Sequence, residues 1–183
     1  MPNSACVFVV LLILSGISAA QETAPAFDLF GGYSYLKTDA DLPNRSRHGW
    51  EVAGSFHLNR WLGVTLDSSR HWSNEFEDIP FSTKDSAHIF LIGPTFSYRV
   101  PKFSAFAHLL FGAASVRETI TDLGETSGET DFASAYGGGL DWHAGQHWGI
   151  RLTQMDYLKT KFANASQNNL RVSAGLVIRF GSR

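Results

Sequence analysis

The sequence predicts an all-β protein, an eight-stranded antiparallel up-and-down transmembrane β-barrel after an N-terminal signal peptide. Three observations carry that prediction. Segment after segment alternates in polarity over about ten residues, the length that crosses a bilayer as a tilted strand. The connections between segments alternate strictly between short and long. The tryptophans stand at segment ends and avoid segment middles.

Composition sets the frame. A chain of 183 residues holds one domain with a real interior but not comfortably two. Charge is nearly balanced, with 15 Lys+Arg against 17 Asp+Glu and no long run of either sign. A nucleic-acid binder needs a concentrated basic footprint, so that class is excluded. An aromatic share of 13%, 17 glycines and two methionines suit strands and turns better than helices.

The N-terminus comes first. Cys6 begins a continuous apolar run that ends at Leu14, and Ser18-Ala19-Ala20 then presents small residues at the positions an A-x-A-like cleavage site uses. The run is far shorter than the roughly 20 residues of a spanning helix, so a signal peptide over 1–20 is expected rather than an uncleaved anchor. Its departure from pattern is charge: no Lys or Arg precedes Lys37. Cleavage before Gln21 leaves a barrel domain over 21–183 and removes Cys6, the only cysteine. The mature chain then has no means of forming an internal disulfide, and no cysteine at the cleavage point for a lipid anchor.

Eight segments follow: 27–37, 49–58, 61–69, 87–98, 104–116, 132–143, 148–158 and 169–180. The first opens after the cleavage site and runs to Lys37. In the second, Trp50, Val52, Gly54, Phe56 and Leu58 alternate with Glu51, Ala53, Ser55 and His57. Only Asn59 and Arg60 separate it from the third, which starts at Trp61 and carries Asp67. The fourth and fifth are joined by 99–103, with Tyr98 and Phe103 flanking the turn. The sixth sets Ala133, Ala135, Gly137, Gly139 and Asp141 on a small face opposite Phe132, Tyr136, Leu140 and Trp142. After 144–147 the seventh begins at Trp148; here Arg151 and Asp156 have opposite parity, so the inward face is ambiguous without a bulge. The eighth places Leu170, Val172, Ala174, Leu176, Ile178 and Phe180 on one face, and Arg171, Ser173, Gly175, Val177 and Arg179 on the other.

The long connections, 38–48, 70–86, 117–131 and 159–168, all fall at one end of such a meander. That is the plan of an outer-membrane barrel with tight periplasmic turns and long external loops, and an even strand count returns the C-terminus to the periplasmic side. Trp61, Trp142, Trp148 and Tyr98 beside the short turns, and Trp50 and Trp72 at opposite ends of their strands, are the expected membrane-interface girdles. Lipid offers no partner for open sheet edges, so the sheet is expected to close.

At this point the residues resemble a known family. Phe30-Gly31-Gly32-Tyr33-Ser34-Tyr35-Leu36 looks like the opening strand of the OmpA-like outer-membrane β-barrel domain. Gly137-Gly138-Gly139-Leu140-Asp141-Trp142, Gly149-Ile150-Arg151-Leu152 and Asp156-Tyr157-Leu158 are similar to its sixth and seventh strands. The run from Asn169 to Gly181 looks like its closing strand. The resemblance spans the mature chain and implies the fold and the outer membrane more than any activity. Two departures stand out. Such barrels often end on an aromatic residue read by the assembly machinery, whereas Phe180 is followed by Gly181-Ser182-Arg183. Members that tether the membrane to the cell wall carry a further periplasmic domain, and the expectation from a chain ending at Arg183 is that this role is not served here.

Charged residues on inward faces are the candidate functional set: Glu51, His57, Asp67, Asp141, Arg151, Arg171 and Arg179. Buried charges must pair, so a salt network filling and closing the lumen is expected, with a small gated pore as the alternative. His143 and His147 flank one turn without a Cys or acidic neighbour at ligand spacing, so neither metal nor cofactor is expected. Asp67, Ser68, Ser69 and His71 hold the residue types of an acyl-ester hydrolase, but neighbours on one strand alternate faces, and the His-x-Ser-Asn motif of outer-membrane deacylases is absent. No enzymatic activity is expected. The Thr- and acid-rich stretch 117–131 is expected to be a solvated external loop, with adhesion as its candidate use. The expected partners are outer-membrane lipids and lipopolysaccharide, with the barrel-assembly machinery during insertion, and the expected state is a monomer. A soluble exported barrel in the lipocalin manner is the remaining alternative; it requires the apolar faces to point inward.

Overall fold

Alternating polarity gives each strand one face for the interior and one for the surroundings, and the computed structural model shows which is which. It describes residues 25–38, 46–73, 83–120, 125–162 and 165–181. The expected signal peptide over 1–20 lies outside the described residues. Eight strands form: β1 (Phe27–Thr38), β2 (Ser46–His57), β3 (Leu62–Ser73), β4 (Thr83–Val100), β5 (Phe103–Ile120), β6 (Glu125–His143), β7 (Trp148–Phe162) and β8 (Ala165–Phe180). Each pairs with the next in antiparallel register, and β1 pairs with β8 from Phe27↔Phe180 to Thr38↔Asn169. The barrel is closed, and every strand has two neighbours.

Three tight turns share one end. Asn59 shapes the first: its Oδ1 accepts from the backbone N–H of Trp61 at 2.9 Å and of Leu62 at 2.8 Å, the self-bonding that makes Asn a turn residue. Pro101-Lys102 joins β4 to β5, where Val100 faces Phe103. At the third, the Gly145 N–H donates to the Trp148 carbonyl at 3.0 Å. Both ends of the barrel domain meet there as well, since Ala26 N–H donates to Phe180 O and His57 N–H to Ala26 O, each at 3.0 Å.

Apolar side chains face outward. Phe90, Ile92, Phe111, Leu152, Leu176 and Ile178 are all exposed, Leu176 at 59%. A continuous apolar exterior of this kind is a lipid surface, and it is the reverse of what a soluble ligand-binding barrel needs. That alternative is set aside.

Two expectations change. The strands at the long-connection end run further than polarity indicated: β4 begins at Thr83 rather than 87, β5 reaches Ile120, and β6 begins at Glu125. The stretch 117–131, expected as a loop, is largely a paired hairpin from Arg117↔Gly128 to Ile120↔Glu125. Beyond the bilayer both faces meet water, so alternation fades while backbone pairing continues. The second change concerns β7. Its register shifts between Arg151 and Gln154 against β8, and between Leu140 and Asp141 on β6. This bulge leaves Leu152 and Thr153 both exposed and turns Arg151 and Asp156 both inward, resolving their conflicting parity.

A charged lumen as the candidate functional site

Arg171, midway along β8, is fully buried at the centre of the interior. Its Nη1 and Nη2 donate to the two carboxylate oxygens of Asp67 on β3, at 2.8 and 3.1 Å. From β7, Asp156 Oδ2 accepts from Nε at 3.0 Å and from Nη2 at 2.7 Å. Nη1 also donates to Ser69 Oγ at 3.0 Å, and Glu51 Oε2 on β2 stands 3.5 Å from Nε. One guanidinium thus ties β8 across the lumen to β2 and β3 and along the wall to β7. Arginine suits the position, because its planar fork meets several carboxylates at once and keeps its charge when buried.

The network continues through side chains that hold the carboxylates. Gln154 Nε2 donates to Glu51 Oε1 at 2.7 Å and to Asp156 Oδ2 at 2.8 Å. Its Oε1 accepts from Arg151 Nη1 at 2.6 Å, and Arg151 Nε donates to Asp141 Oδ1 at 2.8 Å. The Arg151 guanidinium is sandwiched between the rings of Phe30 and Phe106, 4.2 Å from each centroid, a cation–π arrangement that suits a desolvated cation. His108 Nε2 lies 2.7 Å from Asp156 Oδ1, and Ser173 Oγ donates to Glu51 Oε2 at 2.6 Å.

Of the seven residues singled out in the sequence, Glu51, Asp67 and Arg171 meet directly, and Gln154 links them to the Arg151–Asp141 pair. His57 belongs to a second cluster at the short-turn mouth. Its Nε2 is 2.8 Å from Asp28 Oδ2 and 2.9 Å from Arg99 Nη2. Arg179 is buried but forms no ion pair among the described residues; its guanidinium lies over Gly149, and its Nη2 has no hydrogen-bond partner. A small polar cavity lies between the two clusters, lined by Asp28, His57, Thr95, Arg99, Asp141 and Arg151 among others. Its free volume is about 20 Å³, room for a water molecule or two. Beside and beyond Arg171, Leu36, Ile89, Leu91, Leu110 and Leu158 pack with three alanines into an apolar filling.

Sequence reasoning missed Gln154, His108, Asp28 and Arg99. Parity carried Asp28, which falls between the outward Phe27 and Leu29. Arg99 lay one residue past the expected strand end. His108 was hidden because β5 is apolar on both faces. The Asp67, Ser69 and His71 side chains share the inward face, contrary to the expectation that close neighbours diverge. Even so, Ser69 accepts from Arg171 while His71 Nε2 bonds Ser34 Oγ at 2.9 Å, and all are buried. On the exterior, Trp50, Trp61, Trp72, Tyr98, Trp142 and Trp148 are exposed, Tyr98 at 75%. His143 Nε2 contacts Ser104 Oγ at 3.1 Å, and His147 is exposed.

The model of the outer membrane protein beta-barrel domain family matches residues 6–180. The chain belongs to that family. It is accordingly a protein of the cell outer membrane. A search of curated proteins found no match by sequence. Among solved structures, the fold is similar to neisserial surface protein A, with a TM-score of 0.69 and 12% identity over 87% of this chain and 100% of that one. It is also similar to Ail, the attachment invasion locus protein of Yersinia pestis, with a TM-score of 0.58 and 16% identity over 84% and 99%. The outer membrane protein OprG from Pseudomonas aeruginosa aligns with a TM-score of 0.54 and 10% identity over 88% and 98%. At such identities the likeness is one of fold.

Proposed function

We propose that this outer-membrane barrel is a non-enzymatic, non-conducting scaffold with a structural or surface-interaction role, its lumen plugged by the charged network. The observation that carries this is Arg171, whose guanidinium reaches Asp67, Asp156 and Glu51 on three other strands. A side chain tied at so many points blocks the bore and braces the wall. Eight strands leave an interior that side chains can fill. Support for a surface role comes from the long-connection end, where the β5–β6 hairpin continues past the strand length a bilayer needs. Ail, one of the similar folds, is named as an attachment invasion protein. Closure of the sheet leaves no edge for strand-to-strand association, which favours a monomer surrounded by lipid and lipopolysaccharide.

The polar cavity at the short-turn mouth favours a second reading, a small gated pore. Planar-bilayer recording of the purified protein separates the two. The scaffold gives no discrete conductance steps; reproducible unitary steps that persist in the wild type overturn it in favour of the pore.

A further inference from the structure

The short-turn mouth of the barrel holds more positive charge than its acids neutralise. Among the described residues, Arg99 of β4, Arg151 of β7 and Arg179 of β8 stand inside it against Asp28 of β1 and Asp141 of β6. Two of the arginines are matched. Arg151 holds both oxygens of Asp141, at 2.8 and 3.3 Å. Arg99 Nη2 is 3.5 Å from Asp28 Oδ2, and its Nη1 donates to the Arg60 carbonyl at 3.1 Å. Asp67, deeper in the same wall, is taken by Arg171. His57 and His143 add no negative charge in either protonation state. Arg179 is the cation left over.

Register makes this surplus conspicuous. Arg179 stands directly opposite Asp28 on the β1–β8 ladder, yet the two side chains do not pair. The Asp28 carboxylate turns to His57 and Arg99. The Arg179 guanidinium lies instead over Gly149 on β7, which leaves it room, since a Cβ there would stand 3.1 Å from both Nη atoms. Arg179 is only 6% exposed, and its buried Nη2 has no hydrogen-bond partner. Arg99 Nε is a second buried donor without a partner. The charges that act on Arg179 are Asp28, Asp141, Arg99 and Arg151, and all four line the polar cavity of about 20 Å³. Arg99 and Arg179 also both act on His143, so the positive groups converge on one side of the mouth. An unneutralised cation with unsatisfied donors is costly away from bulk water.

We propose that the short-turn mouth binds one monovalent anion of halide size, held by the Arg179 Nη2 and Arg99 Nε donors. One such ion balances the three arginines against the two aspartates. The cavity has room for a water molecule or two, which suits a monatomic ion and is too small for phosphate. Asp28 and Asp141 repel an anion, but each already has an arginine against it. A third buried atom, Asp28 Oδ1, also lacks a partner and is an acceptor. A water beside the ion satisfies it, donating one hydrogen to Asp28 and the other to the anion. The bound ion screens Arg99 and Arg179 from each other, so it fastens β4 to β8 where the turns meet. Chloride is the natural occupant. The proposal does not depend on whether the lumen conducts.

The test uses the purified barrel in nonionic detergent, with bromide and chloride as probes. Crystals grown in sodium bromide and measured at the bromine absorption edge are expected to show an anomalous peak within hydrogen-bond distance of Arg179 Nη2 and Arg99 Nε. In solution, line broadening in chlorine NMR reads halide affinity. Arg179→Gln is expected to weaken that affinity by about tenfold or more, the effect of losing one charge-assisted hydrogen bond. Arg70→Gln, on the outward face toward the other end, leaves it unchanged. Unboiled migration on gels verifies that both variants are folded. Water at that place in the bromide-grown wild type, or a carboxylate of the chain itself, overturns the proposal, and that observation needs no variant. Undiminished affinity in folded Arg179→Gln overturns the assignment to Arg179.

Discussion

Arg171 concentrates the energetics of the interior in one residue. Removing one partner of a buried charged set strands the others in a medium that solvates them poorly, at a cost of about 3–5 kcal/mol. Arg171→Leu leaves Asp67, Asp156 and Glu51 without their shared cation, so the variant is expected to unfold at markedly lower urea concentration, or lower temperature, than the wild type. Denaturation of vesicle-folded protein, followed by loss of the fast-migrating unboiled band, measures the change. Gly137 tests how closely the wall is packed around the network. A Cβ there would stand 2.1 Å from the Met155 carbonyl oxygen and 2.2 Å from Asp156 Oδ1, so Gly137→Val is expected to cost about 1–3 kcal/mol through overpacking. The same denaturation assay reports it, and an unchanged midpoint would show that β6 and Asp156 shift freely. At this scale the candidate set was partly legible. Parity marked Glu51 and Arg171, each a charge between two apolar neighbours, and Asp67, which follows the outward Leu66. It was silent on Gln154, since a polar residue one place beyond a bulge carries no visible phase.

The bulge in β7 is the element on which the site depends. One extra residue switches which face the chain presents, so Arg151 and Asp156 both reach the lumen. Deleting Leu152 removes that extra residue and leaves Thr153 as the single outward position between inward Arg151 and Gln154, so plain alternation keeps Arg151 and Asp156 in the lumen. No charged group is then forced into hydrocarbon, where an arginine at mid-depth costs about 2–4 kcal/mol. The deletion is expected to fold into vesicles with the heat-shifted band retained; its absence would show that the ladders to β6 and β8 need the bulge itself. The outer β5–β6 hairpin is expected to tolerate shortening as well, because its pairs lie past the bilayer and outside the lumen network. Replacing residues 119–126 with Asn-Gly sets a two-residue turn between Glu118 and Ser127, which already face each other. That shortened protein is expected to fold and resist SDS like the wild type, with the midpoint of urea denaturation unchanged. Strand extensions of this kind were illegible beforehand for the reason that makes them dispensable: no lipid boundary imposes a pattern on them.

For the whole molecule, closure is the governing fact. The β1–β8 ladder runs from Phe27↔Phe180 to Thr38↔Asn169, so a closed barrel with an internal charge network is expected to migrate differently on gels before and after boiling. Mass spectrometry of the outer-membrane band is expected to find Gln21 at its start, and a mature chain beginning at Met1 would remove the signal peptide. The apolar exterior and the charged lumen act at this same scale, since they define what the barrel wall meets on each side.

The sequence by itself determined the strand number, the antiparallel order, the end at which the short turns lie and the lipid-facing identity of most strands. These follow from periodicity and spacing along one chain, and a bilayer imposes both with little tolerance. Only the tertiary structure decided which inward charges meet. Arg171 and Asp67 are joined across 104 positions of sequence, and whether two such residues touch depends on register and bulges around the closed ring. A one-residue slip turns every side chain of a strand to the opposite face, so partners in the lumen are a property of the barrel and of no single strand within it.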